Sequence, residues 1–470
     1  MRLSPSTDTL RRQRGRRRGR LLLVLFVLAA AAVAGLGAFR VGPAPRVEIR
    51  PALPAIGRST PVEITVAEPA RGLSEVRVEL IQGDAAIELA ADRLAPLAPW
   101  KLWGARTPEK TYRVSVGKDH QETLAEGEAT IRVTATPAPA WLRSGEPATV
   151  ESTLAVRLVP PAVEIVSSQH YVAQGGCEAV VYRVGASAVR DGVEVGELWF
   201  PGSQVPGGLA GDRFALFAIP YDMGDASDVH VVAEDEVGNR RSAAFVDQFF
   251  PQPPRSDDIV LSDAFLERVV PAILENTPDL KAEGSLLDRY LVINRELRRR
   301  NAEELAALAA RSKPEFLWQS PFLALPGGQV MSAFADRRTY FYEGREVDQQ
   351  VHLGFDLASV ARADVPASNS GVVVLARYLG IYGNAVVVDH GFGLMSLSAH
   401  LSSIAVAEGD EVQRGQVLGR SGATGLAGGD HLHFSFLLQG VPVRPVEWWD
   451  PHWIGDRLKR KLGPALPFGG

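Results

Sequence analysis

GGDHLHFSF, residues 428–436, places His431 and His433 on either side of one leucine in a run that otherwise reads as a half-buried strand. In an extended chain residues i and i+2 point to one face, so both imidazoles face the same way. Two imidazoles turned inward are costly unless they are hydrogen-bonded, charged or bound to a metal. The glycines before the run fit a tight hairpin feeding a small, strongly curved sheet. A mostly β domain is therefore expected here, and the partners of the two histidines must come from elsewhere in the chain.

Six of the nine histidines, at 352, 390, 400, 431, 433 and 452, fall within residues 352–452. VHLGFDLAS carries His352 and Asp356 four apart, a spacing that on a strand turns an imidazole and a carboxylate to one face. GLMSLSAHLSSI presents His400. A catalytic zinc takes three protein ligands, often His and Asp, and keeps a fourth position open. One His-x-x-x-Asp pair plus one histidine of the His-x-His supplies three, and two histidines remain for proton transfer and oxyanion stabilisation. Spacing does not choose between His431 and His433 as ligand. His390, in VVVDHGFG, reads as a structural histidine in a turn.

HLGFDLAS, GNAVVVDHG, GLMSLSAHLSSI, EGDEVQRGQVLGRSGATG, HLHFSF and VRPVEWWDP occur in this order over about residues 325–452. In these blocks the chain resembles the lysostaphin-type (LytM-like) zinc metallopeptidases, which cut peptide bonds in peptidoglycan. The resemblance implies one Zn2+ per catalytic domain, held by His352, Asp356 and His433, with His400 and His431 as the catalytic pair beside it. Three positions depart from the usual pattern. Ser398 stands where relatives commonly have Tyr, Ser435 where Glu follows the His-x-His motif, and Asp430 where Pro or Ser precedes it. These bear on substrate preference and on the surroundings of the ligands. Some family members have lost ligands and only activate other wall hydrolases; this chain keeps all five residues.

The first twenty residues carry eight Arg and one Asp, so +7, while the whole chain carries −5, which leaves −12 on the other 450. Residues 21–39, LLLVLFVLAAAAVAGLGAF, are uncharged and as a helix span about 28 Å, close to the hydrocarbon core of a bilayer. The arginines before this segment keep that end cytoplasmic. A basic head joined to such a segment points to a membrane rather than to nucleic acid. Length and the Arg-rich head favour an uncleaved anchor over a cleaved signal peptide. The expected location is the inner (cytoplasmic) membrane, single-pass, with the catalytic domain in the periplasm. Cys177 is the only cysteine, so no internal disulfide forms, and its setting at the start of a strand reads as a buried thiol.

Between these ends the fold class reads as mostly β and multidomain. After a Pro-rich spacer at 40–55, short alternating runs such as PVEITVAE, SEVRVELIQG and ATIRVTAT predict a β-sandwich over 56–160. PAVEIVSS, EAVVYRVG, GVEVGELWF and FALFAIPY predict a second over 161–250, and its AEDEVGN resembles the ending of bacterial immunoglobulin-like domains. FPQPPRSDD reads as a linker, and 251–317 continues as a helical segment with Ser262 or Asp263 and Ser285 as N-caps. Its Arg-rich stretch RELRRRN reads as a solvated helix face, with contact to anionic wall polymer as the sharper reading. The peptidase domain is expected at 318–456 and a tail at 457–470. The helical segment, adjacent and amphipathic, is a candidate cover for the catalytic groove.

Two functions compete. In one, a membrane-anchored zinc endopeptidase hydrolyses stem or cross-link peptides of peptidoglycan, spaced from the membrane by its sandwiches. In the other, the chain is a wall-binding scaffold or an activator of other murein hydrolases, and the sandwiches hold a protein partner.

Overall fold

The computed structural model describes residues 7–39, 41–99, 101, 104–141 and 143–467. The expected tail at 1–20 and the closing tail therefore lie partly outside the described residues. A helix, Thr7–Phe39, runs through the Arg-rich head into the apolar segment, and its window Gly19–Leu36 has a mean hydropathy of 2.3. By length and composition it is apolar enough to cross a membrane.

The chain divides into two compact units, Met1–Pro160 with Asp235–Asn239, and Pro161–Glu234 with Arg240–Gly470. In the first, a three-stranded sheet (Arg46–Pro51, Thr60–Ala67, Glu109–Val116) accompanies a four-stranded one (Ala85–Arg93, Leu73–Gln82, Gly127–Pro137, Ala148–Val156). Alternate residues of both, including Val62, Ile64, Val66, Val78, Ile131 and Val133, enter one buried cluster. The period of two seen in the sequence is this inward face.

The second unit begins with two further four-stranded sheets, one centred on Cys177–Val184 and Asp212–Ala218, the other on Arg190–Val195 and Val229–Glu234. Their apolar residues join those of the C-terminal domain in one buried cluster, in which Phe214 and Phe217 continue into Trp318, Phe436 and Trp448. Polar groups are buried along this junction as well. Lys461 Nζ lies 2.7 Å from Glu178 Oε1, both nearly inaccessible, and Cys177 N–H donates to Glu447 Oε2 at 2.7 Å. Leu458, Leu462 and Leu466 are buried, so much of the stretch read as a tail is part of the core.

Burial pushes the Glu447 carboxyl up to about 8. A raised folded-state value means stability that is full below the ordinary 4.5 and is lost as pH climbs to about 8. Glu447→Gln keeps the acceptor for Cys177 and removes the titration. Thermal unfolding of that variant should fall less steeply between pH 4.5 and about 8 than the parent's.

Two local expectations need correction. Arg255–Leu261, read within the linker, is a strand paired in parallel with Asp336–Tyr342, whose hairpin partner is Arg345–His352. Its charged first half, Arg255–Asp258, hid it, because those side chains are exposed and only one edge of this strand is paired among the described residues. His352 and Asp356 do not share a strand: Arg345–His352 ends at the first, and Phe355–Ala358 carries the second. They converge because the chain turns at Leu353–Gly354 between them. The helical segment behaves as read, with Ser262 capping Asp263–Glu275 and Ser285 forming a capping box with Asp288 ahead of Leu286–Val292.

The large sheet of the C-terminal domain is antiparallel. In order it contains Gln329–Ser332, Phe355–Ala358, Leu432–Leu438, Leu394–Leu401, Asn384–Asp389, Gly371–Tyr378 and Glu411–Val412, with Val441–Val443 paired to Leu432–Leu438. Every residue of Leu432–Leu438 is buried.

Candidate metal centre

Register builds the site. Asp356 lies opposite His433, and His433 opposite Ala399, across three neighbouring strands. Plain alternation would turn His400 to the other face of the sheet. The pairing of Leu394–Leu401 with Asn384–Asp389 slips by one residue there, and His400 takes φ +61°. Such a bulge re-aims a side chain, and a left-handed φ at a non-glycine residue is strain retained at a working position. His400 thereby joins its neighbours, its ring centroid 4.9 Å from that of His431 and 5.7 Å from that of His433. All five residues named from the sequence are brought together around one pocket of about 330 Å³.

Hydrogen bonds set each tautomer. A carbonyl only accepts, so His352 Nδ1–H donates to Ala333 O at 3.0 Å, and Nε2 carries the lone pair. By the same logic His400 Nδ1–H donates to Thr424 O and His431 Nδ1–H to Gly429 O, each at 2.8 Å. Ser435 Oγ donates its one proton to Leu353 O at 2.8 Å and so must accept from His433 Nε2–H at 3.0 Å. This leaves His433 Nδ1 bare. The four rings are each held by the far nitrogen with the other unprotonated.

His352 Nε2 and His433 Nδ1 lie 3.1 Å apart, and each is 3.0 Å from Asp356 Oδ1. His431 Nε2 is 3.5 Å from the same oxygen. The candidate ligand atoms of His352, Asp356 and His433 all fall within 4.8 Å of one another. Lone pairs this close repel unless protons or a cation lie among them. Burial holds His433 down to about 4 and His400 well below the ordinary imidazole range, which disfavours protons on either. A divalent cation taking nitrogen and carboxylate ligands fits this donor set.

The remaining charges are placed to suit. Asp356 Oδ2 accepts from Arg338 Nη2 at 2.7 Å, which leaves Oδ1 for the centre. Burial opposes its charge, yet the imidazoles of His352, His431 and His433 clustered on Oδ1 outweigh it and keep Asp356 far below the usual carboxylate range. For His431 burial pulls downward, and the hydrogen bond and charge of Asp356 outweigh it, so this imidazole is raised above its ordinary value.

Close packing makes Gly354 necessary. A Cβ there would sit 2.6 Å from His433 Cε1 and 2.7 Å from Nε2, and would also strike Ser435 Oγ. Gly354→Ala should push His433 off its position, costing roughly 1–3 kcal/mol in stability and about 10- to 100-fold in metal affinity; thermal unfolding and zinc titration would measure both. His390 is fully buried, with Nδ1–H donating to Ser370 O and Nε2 on Ser396 Oγ, both at 2.8 Å, and serves structure. Asp430 caps its loop by accepting from Arg362 N–H and Ser421 Oγ–H. Sequence reasoning missed Arg338, which pattern alone could not tie to Asp356, eighteen residues away on another strand.

Residues 350–445 match Peptidase family M23, and they form a domain of that family. The DD-carboxypeptidase/endopeptidase Mpg of Neisseria meningitidis serogroup B is 42% identical over 97 residues, 21% of this chain and 22% of Mpg. The peptidoglycan DD-endopeptidase ShyA of Vibrio cholerae is 42% identical over 96 residues, 20% of this chain and 22% of ShyA. The murein hydrolase activator EnvC of Escherichia coli is 37% identical over 95 residues, 20% of this chain and 23% of EnvC. The chain thus spans about a fifth of the length of the curated relatives it matches.

Proposed function

We propose that this chain is a membrane-anchored zinc metalloendopeptidase that hydrolyses peptide bonds in the stem or cross-link peptides of peptidoglycan. The observation that carries the reading is the convergence of four bare imidazole nitrogens and one carboxylate oxygen inside an M23 domain. His352, Asp356 and His433 hold the ion, with Arg338 and Ser435 fixing how two of them point. When bound, zinc supplies a Lewis acid for the scissile carbonyl and makes water acidic enough to attack near neutral pH. His431, whose imidazole is raised above its ordinary value by Asp356, takes the proton from that water at Nε2 and returns it to the leaving amine. His400, kept neutral by burial, orients the water through its own bare Nε2. The apolar helix anchors the chain in the inner membrane with its head in the cytoplasm and the C-terminal domain in the periplasm.

Mass spectrometry of the fragments that the zinc-loaded chain releases from purified peptidoglycan tests this reading. New free amino termini at stem or cross-link positions support it, and an unchanged muropeptide profile sinks it. Similarity to EnvC favours a second reading, activation of other murein hydrolases. In that case the chain alone releases nothing, and wall digestion by an added hydrolase speeds up in its presence with or without metal.

A further inference from the structure

The arginines of RELRRRN do not share one fate. Arg299 and Arg300 pair with Glu296, Glu303 and Asp279 on the exposed face, and Arg295 Nε lies 2.9 Å from Asp348 Oδ1. Arg298 has no ion pair among the described residues and instead lines the pocket that holds the five site residues. Its Nε–H donates to Asn294 O at 3.1 Å and its Nη2–H to Asn294 Oδ1 at 2.7 Å. Asn294 is fully buried, and its Nδ2–H donates to Asp348 Oδ2 at 2.8 Å. Because Arg295 neutralises Asp348, that carboxylate fixes Asn294 without answering the charge on Arg298. A π-helical turn, Ile293–Leu297, contains Asn294 and ends just before Arg298. Insertions of this kind gather at functional sites, where they rotate the next side chain.

Among the described residues Asp356 is the only acidic one lining the pocket, and both its oxygens are engaged by Arg338 and the imidazoles. A guanidinium aligned by a buried relay therefore faces the cleft with Nη1 uncommitted and without a counter-charge among the described residues. Leu261, Phe265, Ile381 and Leu426 give the same cleft an apolar wall. Guanidinium forks match carboxylates in geometry and charge, and an arginine whose rotamer is already fixed loses little freedom on binding one.

We propose that Arg298 is a specificity-determining residue that binds a free carboxylate of the substrate beside the scissile peptide bond. The preferred substrate is then a peptide whose residue at that bond carries an unamidated carboxyl group, as a chain end or a branched diamino acid does. The inference rests on the peptidase reading and adds a residue outside the M23 match.

The test uses two short synthetic peptides that differ only in bearing a carboxylate or a carboxamide at that position. With the zinc-loaded full chain, kcat/KM should favour the acid by roughly tenfold to a hundredfold. Arg298→Gln should bring the ratio near one, mainly through the KM of the acid, and Arg298→Lys should restore part of it. Zinc content and unfolding temperature equal to the parent's show that each variant keeps its fold. Equal rates for the two peptides in the parent, or a preference that survives Arg298→Gln, overturns the proposal. Calorimetric binding of the same pair separates the two readings. Tighter acid binding that Arg298→Gln abolishes, without turnover of either peptide, keeps the clamp and defeats the peptidase reading; equal binding with active turnover does the reverse.

Discussion

Asp356→Asn is expected to strip the metal from the protein and take hydrolysis with it. The substitution keeps the volume and removes the one negative charge among the imidazoles. Asp356 Oδ1 lies 3.0 Å from each of the two candidate nitrogen ligands. Partners outside the ligand set commonly change metal affinity 10- to 100-fold, so losing a ligand's charge should cost more than roughly a hundredfold. Lewis-acid assistance is worth several kcal/mol, and the rate on peptidoglycan should fall about 10³-fold or more. Arg338 would lose its one ion-pair partner among the described residues while only 19% of its side chain is exposed. The apo variant should therefore also unfold at a lower temperature than apo parent protein. Zinc content after dialysis, wall hydrolysis and thermal unfolding check the three effects separately.

The second large effect leaves the metal in place. His431→Ala and His400→Ala should each retain zinc at one ion per chain and lower kcat by roughly 10²- to 10⁴-fold, the usual range for a positioned proton-transfer group. Neither histidine belongs to the group, His352, Asp356 and His433, whose candidate ligand atoms all fall within 4.8 Å of one another. His352→Ala and His433→Ala should instead behave like Asp356→Asn. A split of the four histidines into metal-losing and metal-keeping pairs is the outcome that separates ligands from proton carriers. If His431→Ala lost zinc as readily as His433→Ala, the division of labour between the two members of HLH would be wrong.

Much of this was legible in the chain itself. The shared face of His431 and His433 follows from strand alternation, and the strands that bury Val62, Ile64 and Val78 announce their inward residues by the same rule. Capping residues Ser262 and Ser285 marked helix starts that the structure bears out. What the pattern could not show is set by register between distant strands. His400 reaches the site through a one-residue slip against Asn384–Asp389, and no periodicity within GLMSLSAHL encodes that. His352 and Asp356 converge across a turn at Leu353–Gly354, so their spacing pointed to the right pair for a reason that does not hold. Arg338 and Arg298 sit on a strand and a helix whose packing brings them to the pocket. Their neighbours in sequence look like any charged surface.

The most direct test of the central claim is the appearance of new amino groups when the full-length protein acts on purified peptidoglycan. Zinc-loaded parent protein should release them steadily, a chelator should stop the release, added zinc should restore it, and Asp356→Asn should stay at background. Release that is absent from the metal-replete parent, or equal in Asp356→Asn, would contradict a metal-dependent peptidase built on His352, Asp356 and His433.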